Sequence, residues 1–221
     1  MEIAEKFYGV FAAIGVHPNS ANSWNSGTIK EIISLSRHPK VVAIGEIGLD
    51  YYRLRTAPHA QKVVFQAQLD LASQVQLPVL IHNRQATRDL WPMLKNWHER
   101  IRGHGEELAK HPGVLHAYED SLEMAREALQ CNFQFGVGGP ITYPKAGARA
   151  EVIKNLMIES ILIETDAPYL SPQACRGQRN EPANVKMIAE KIAEIVNLNY
   201  DEVVEITTKN ANRLFRWSPF R

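Results

Sequence analysis

The sequence predicts an α/β fold, a parallel sheet with helices outside it. Three observations carry that prediction. Short apolar, β-branched runs alternate with longer stretches of helical periodicity, as successive strand–helix units require. The run from Val41 to Ile44 is apolar throughout, the pattern of a strand buried on both faces. Four such runs end on an ionisable group, namely Glu46, His82, His116 and Glu164 with Asp166. Parallel strands would bring those ends to one face.

The chain has 221 residues, enough for a single domain over residues 1–221 with a substantial core. Hydrophobic residues make up 45% and charged residues 22%, values of a globular chain rather than a disordered one. The net charge is +1, so no global basic field draws in nucleic acid and any phosphate contacts must be local. The two cysteines, Cys131 and Cys175, form no paired motif, which argues against a disulfide framework and for a reducing cytoplasm. The first residues carry no basic segment followed by an apolar run, so no secretory signal is read there. No apolar stretch reaches the ~20 residues that a membrane helix needs.

Taken in order, residues 2–7 read as the last turns of a helix, with Ile3 and Phe7 at i, i+4. A strand over 10–16 ends at His17-Pro18, where the proline stops it. His17 can reach the same rim as the other ionisable ends, and a structural role is equally open. Residues 28–36 carry Ile29, Ile32, Ile33 and Leu35, a helix packed on a sheet. The Val41 run then delivers Glu46 between Gly45 and Gly48, glycines that let another backbone or a ligand come close. A helix over 57–75 has Gln61, Gln66, Gln68 and Gln74 as its polar face. Pro78 opens the His82 strand, and a helix over 86–101 has Trp91, Leu94 and Trp97 as core. Residues 102–110 form a charged surface excursion before the His116 strand at 113–116. A helix over 121–129 is capped by Asp120 or Ser121. A strand over 133–138, a helix over 150–157 and the last strand over 161–166 follow. A loop over 168–183 precedes helices over 184–196 and 201–215, the second with Asp201 as its cap.

A His after one apolar run is more often a hydrogen-bonded core residue than a ligand, and a Glu there is more often in an ion pair. Four such ends together are the stronger signal. Carboxylates and neutral imidazoles are the ligand set of hydrolytic Zn²⁺, Mn²⁺ or Mg²⁺ centres. Arg84, Arg176 and Arg179 are candidates for phosphate contacts, because a guanidinium fork matches phosphate oxygens, with surface ion pairs the equal alternative. Asn180 and Glu181 read as loop-fixing residues, Asp50 and Tyr51 as structural or supporting ones, and Cys175 as a loop thiol.

These residues resemble the TatD family of metal-dependent deoxyribonucleases within the amidohydrolase superfamily. The resemblance runs from about residue 2 to 217. It is carried by Gly15-Val-His-Pro18, Gly45-Glu-Ile-Gly-Leu-Asp-Tyr51, Leu77-Pro-Val-Leu-Ile-His-Asn-Arg84, Gly113-Val-Leu-His116, Glu164-Thr-Asp-Ala-Pro-Tyr-Leu170, Arg176-Gly-Gln-Arg-Asn-Glu-Pro182 and Thr207-Thr-Lys-Asn-Ala-Asn-Arg-Leu-Phe215. It implies a TIM-type (β/α) barrel with one or two divalent metal ions. By that similarity Glu46 is a ligand able to bridge two ions, and His82 and His116 are ligands of one. Asp166 is a ligand and the general base. The implied reaction is hydrolysis of DNA phosphodiesters, on single strands or ends.

The sequence also departs from the family. The family's Asp-x-His-x-His strand and its second strand have no counterpart, and no His-x-His occurs anywhere in the chain. The expectation is therefore an N-terminally incomplete barrel of about six strands out of eight, with activity impaired by the missing pair. A second copy of the chain is expected to cover the open edge. Two alternatives stand beside the nuclease. One is a weak or inactive barrel that keeps one ion. The other is a hydrolase of a different ester or amide, such as D-aminoacyl-tRNA.

Overall fold

The computed structural model describes residues 1–217; residues 218–221, the tail of the expected domain, lie outside the described residues. Contacts divide the chain into two compact units. One is Met1–Leu115 together with residues 213–217, and the other is His116–Asn212.

The first unit holds α1 (Glu2–Lys6), β1 (Ala12–Ile14), α2 (Ser26–Leu35), β2 (Val41–Asp50), α3 (Pro58–Val75), β3 (Val79–Arg84), α4 (Thr87–Gly103) and β4 (Gly113–Leu115). Its strands pair β1 to β2, β2 to β3 and β3 to β4, all parallel. The core is Ile44, Ile47, Leu49, Val79 and Ile81 from the strands, with Phe65, Leu69, Leu90, Leu94 and Trp97 from α3 and α4. Trp97 Nε1 donates to Ser73 Oγ at 2.8 Å, so the indole is both buried and hydrogen-bonded. Asn25 opens α2 by accepting from Gly27 N and Thr28 N, which starts this helix two residues before the apolar pattern does. Pro58 begins α3, where its missing N–H costs nothing.

The strand β2 is longer than its apolar run. It continues past Ile44, with a register shift between Ile44 and Ile47, and pairs Gly48 with His82 and Asp50 with Arg84. Glu46 therefore lies inside the strand rather than at its end. Gly48 is required there. Its φ is +142°, and a Cβ would lie 2.0 Å from the His82 carbonyl oxygen.

The second unit holds α5 (Leu122–Gln130), β5 (Gln134–Val137), α6 (Gly147–Lys154), β6 (Ile161–Ile163), α7 (Val185–Val196) and α8 (Tyr200–Phe215), whose residues to Asn212 belong here. Strands β5 and β6 are parallel neighbours. Phe133, Phe135, Ile153, Ile161, Ile188, Ile192 and Val203 form the core. Ser121 caps α5 through Met124 N. The cap of α8 is Asn199 rather than Asp201. Asn199 Oδ1 accepts from Glu202 N and Glu202 Oε2 accepts from Asn199 N, a reciprocal pair that Asp201, inside the first turn, cannot form. Six strands with flanking helices make the α/β class expected from the sequence.

His98 on α4 is 2% exposed and faces Ala109 O through Nε2 at 3.1 Å. Burial holds its pKa below the ordinary imidazole value, against the raising pull of that bond. The folded chain thus prefers the neutral ring, while the unfolded chain takes up a proton near pH 6.5. The contribution to stability is complete above that pH and is lost as pH falls below it. Denaturant melts at pH 7.5 and 5.5 should show wild type losing more stability on acidification than His98→Gln. Equal losses would remove His98 from the account.

Candidate metal centre

In the first unit, β2 and β3 place Glu46, Asp50 and His82 together, and the turn after β1 adds His17. Glu46 Oε1 lies 2.7 Å from His82 Nδ1, and Asp50 Oδ2 lies 3.3 Å from His82 Nε2. The ring of His17 meets that of His82 edge-on, 4.5 Å between centroids. Ligand atoms of His17, Asp50 and His82 all lie within 4.8 Å of one another.

Proton accounting shows what this cluster can hold. The short contact commits the Nδ1–H of His82 to Glu46, so a neutral ring turns its Nε2 lone pair toward a carboxylate oxygen. That approach is favourable only with a positive species there, either a proton on His82 or a cation. Asp50 is ready to face one. Burial pulls its pKa upward, but the N–H groups of Arg53 and Tyr52, the Asn19 amide and His82 overcome this and hold it below the usual carboxylate value. Burial, with His82 beside it, lowers the pKa of His17, so that ring favours its neutral form. His17 Nδ1 accepts from Asn19 N at 3.1 Å, which puts the ring proton on Nε2. Giving up that bond converts Nε2 from donor to ligand. The donor set thus fits a divalent cation.

The second unit repeats the arrangement with different residues. Glu164 Oε2 lies 2.8 Å from His116 Nδ1, and Asp166 Oδ1 lies 3.4 Å from His116 Nε2. Glu164 Oε1 also accepts from Ala117 N at 2.7 Å. Gly136 leaves the space for this carboxylate, since a Cβ there would lie 2.2 Å from Glu164 Oε2. Asp166 has φ +58°, a left-handed conformation that Asp enters more readily than most residues. Asn180, 2% exposed, donates to Thr165 O and Tyr169 O and so ties down the loop on both sides of Asp166, the loop-fixing role read from the sequence. A cavity of about 20 Å³ bordered by Glu164, Asp166, Tyr118 and Arg149 has room for one water.

The structure thus joins Glu46 with His82 in one unit and His116 with Asp166 in the other. Arg84 stacks on Tyr52 at 4.2 Å and Arg176 on Tyr143 at 4.0 Å, while Arg179 is exposed on the loop. Asp50 and Glu164 belong to the clusters although they were not among the expected ligands. The signal for Asp50 was present: Glu46-Ile47-Gly48-Leu49-Asp50 alternates polar and apolar residues, and Ile47 and Leu49 are fully buried. Tyr51 is a supporting residue. Its hydroxyl donates to Asp89 Oδ2 at 2.8 Å, and burial, with Asp89, pushes its pKa up to about 12.

Two amides of α3 hold the first cluster in place. Gln61 Oε1 accepts from Asp50 N at 2.8 Å, and its Nε2 donates to Asp50 O and Thr56 O. Gln68 grips both the N–H and the C=O of Val16, the residue before His17, at 2.7 and 3.0 Å. Both glutamines are 1% exposed, so they are buried clamps and not part of a solvated face. Seven residues apart, they lie two turns along one side of the helix.

A parallel α/β sheet that presents imidazole–carboxylate groups in this way defines a metal-dependent hydrolase. The chain belongs to the TatD related DNase family, whose pattern matches residues 1–216. It is 44% identical over 216 residues to an uncharacterized metal-dependent hydrolase of Bacillus subtilis (strain 168), YabD, covering 98% of this chain and 81% of that one. It is 33% identical over 218 residues to a 3'-5' ssDNA/RNA exonuclease TatD of Citrobacter rodentium (strain ICC168), covering 96% and 80%. The crystal structure of YJJV, a TatD homolog from Escherichia coli K12, superposes with a TM-score of 0.87 at 32% identity, over 98% of this chain and 81% of that one. The protein is therefore a metal-dependent hydrolase acting on ester bonds, with a divalent cation as cofactor and six strands of the (β/α)-barrel class. Among the described residues no helix is long and apolar enough to cross a membrane.

Replacing Gln61 by Leu would leave the N–H and C=O of Asp50 buried without partners. The Thr56 carbonyl loses its partner too, and the expected cost is about 3 kcal/mol in denaturant melts, from three lost bonds and their desolvation. Gln66→Leu, which removes only an exposed bond to Asp70, should cost under about 0.5 kcal/mol.

Proposed function

We propose that this hydrolase cleaves phosphodiester bonds of nucleic acid, DNA in the first place, on single strands or strand ends. The observation that supports this best is the carboxylate–imidazole–carboxylate group in each unit, Glu46–His82–Asp50 and Glu164–His116–Asp166, in a family whose relatives include named ssDNA/RNA exonucleases.

In the first unit the residues that would hold a cation are Glu46, His82 and Asp50, joined by His17 once it releases Asn19; in the second they are His116 and Asp166. When bound, a divalent cation would lower the pKa of water and offset charge growing on phosphate oxygens. The remaining work falls to the chain. Glu46 and Glu164 fix the tautomers of His82 and His116, keeping each Nε2 lone pair available. Asp166 takes the proton of the attacking water as its oxygen bonds to phosphorus and the bond to the leaving sugar oxygen breaks, that oxygen taking a proton from solvent to leave as a hydroxyl. Arg84, Arg176 and Arg179 meet phosphate oxygens through their guanidinium forks.

Labelled oligonucleotide with Mg²⁺ or Mn²⁺ tests this reading. Asp166→Asn should lose about a hundredfold or more in rate, and His82→Ala should weaken Mn²⁺ binding, read by electron paramagnetic resonance. Glu190→Gln, on the exposed face of α7, should match wild type. Equal rates in all four proteins would assign the activity to a contaminant and end the proposal.

A further inference from the structure

The rim of the first cluster carries a feature that the chemistry above does not use. Tyr52 is 58% exposed, and the Arg84 guanidinium covers one part of its ring at 4.2 Å. Among the described residues no other ring lies against it. An exposed tyrosine stacked on an arginine is a flat, electron-rich and partly charged surface.

The pair is also held in place. Tyr52 N and Arg53 N both donate to Asp50 Oδ1, at 3.0 and 2.8 Å, while Asp50 Oδ2 faces His82. Tyr51 N donates to Arg84 O at 2.9 Å, tying the loop to the end of β3. One carboxylate therefore sets both the cluster and the loop that bears the ring.

The surroundings are positive. Arg53, Arg55, Arg84 and Arg88 are exposed, and among the described residues none has a carboxylate within 4.0 Å. The nearby acid, Asp89, is already engaged by Lys62 at 3.1 Å and by the Tyr51 hydroxyl. In a chain of net charge +1 this is a local excess aimed at an anion.

We infer that Tyr52 and Arg84 form a stacking platform for one unpaired nucleobase, with Arg53 taking a phosphate of the same strand. This rests on the nucleic-acid reading above and adds a subsite to it. Every base offers a π-face, so the platform is tolerant of sequence. A base pair inside a duplex keeps both faces covered, so the platform selects frayed ends and single strands. An acidic peptide would satisfy the arginines but leave the ring unused.

The test measures binding of a fluorescent ten-nucleotide strand with phosphorothioate linkages, in Mg²⁺, by anisotropy. A second strand carries abasic residues at its last two 3' positions. Tyr52→Ala should weaken binding of the intact strand about tenfold or more, and Tyr52→Trp should restore it. Wild type should bind the abasic strand about as weakly as Tyr52→Ala binds the intact one. On the abasic strand the Tyr52→Ala change should add nothing. Arg84→Lys should weaken the intact strand, since an ammonium cannot stack. Equal affinity of wild type and Tyr52→Ala, or an equal loss on both strands, overturns the platform. If wild type binds and cleaves normal strands while those controls fail, only the platform is lost. If wild type neither binds nor cleaves, the nucleic-acid reading fails with it.

Discussion

The first unit depends on the solvation of one buried carboxylate. Asp50 is 1% exposed, and an ionised carboxyl without partners would cost many kcal/mol in that position. The chain supplies them from three segments: Asn19 Nδ2 at 2.8 Å from the turn after β1, and the N–H groups of Tyr52 and Arg53 from the loop after β2. The third is His82 on β3. The backbone of Asp50 itself is held by Gln61. A residue so placed stays ionised, and its charge shapes everything that approaches His82. The β1 turn, the β2 loop and β3 have their relative positions set by the same two oxygens.

The second unit reaches the same electrostatic result by another route. Glu46 and Asp50 are four residues apart on one strand, whereas Glu164 and Asp166 are two apart beyond β6. The first separation is even, the condition for a shared side of an extended strand, whereas the second ends on Asp166 in the left-handed region. In each unit a glycine makes room: Gly48 lets β2 approach His82, and Gly136 leaves space for Glu164. In each, the Glu meets Nδ1 and the Asp faces Nε2. The result is an imidazole with a fixed tautomer and an excess of negative charge around its free nitrogen. Structural ion pairs do not need the second acid, whereas cation sites do.

Much of this was readable in the sequence, and the rest was not for identifiable reasons. The six strands were legible because each is a short apolar run between turn residues. Their ends were less so. The apolar run stops at Ile44, but β2 continues because Ile47 and Leu49 still face the core while Glu46, Gly48 and Asp50 alternate with them. A strand that changes from wholly apolar to alternating reads as one that has ended. Gln61 and Gln68 looked like a solvated stripe because helical periodicity counts amides as polar, yet their partners are backbone groups from distant segments. The cap of α8 is Asn199 and not Asp201, because Asn199-x-x-Glu202 is the reciprocal pattern. Long-range hydrogen bonds leave no period in a sequence.

The balance of charge also constrains the order of events at the first cluster. Two carboxylates, Glu46 and Asp50, sit around His82, and a polyanionic strand approaching them bare would be repelled at close range. The four arginines outside cannot cancel this by long-range attraction, because the net charge is only +1 and exposed charges are screened beyond about 8–10 Å. A cation among the donors removes the repulsion, and the arginines then act at contact distance on phosphates already nearby. On the proposed reading, metal binding thus comes before productive binding of an anionic substrate. On the proposed nucleic-acid reading, the acidic interior and the basic rim do separate work, the first by gathering a cation and the second by receiving the strand that this cation makes tolerable.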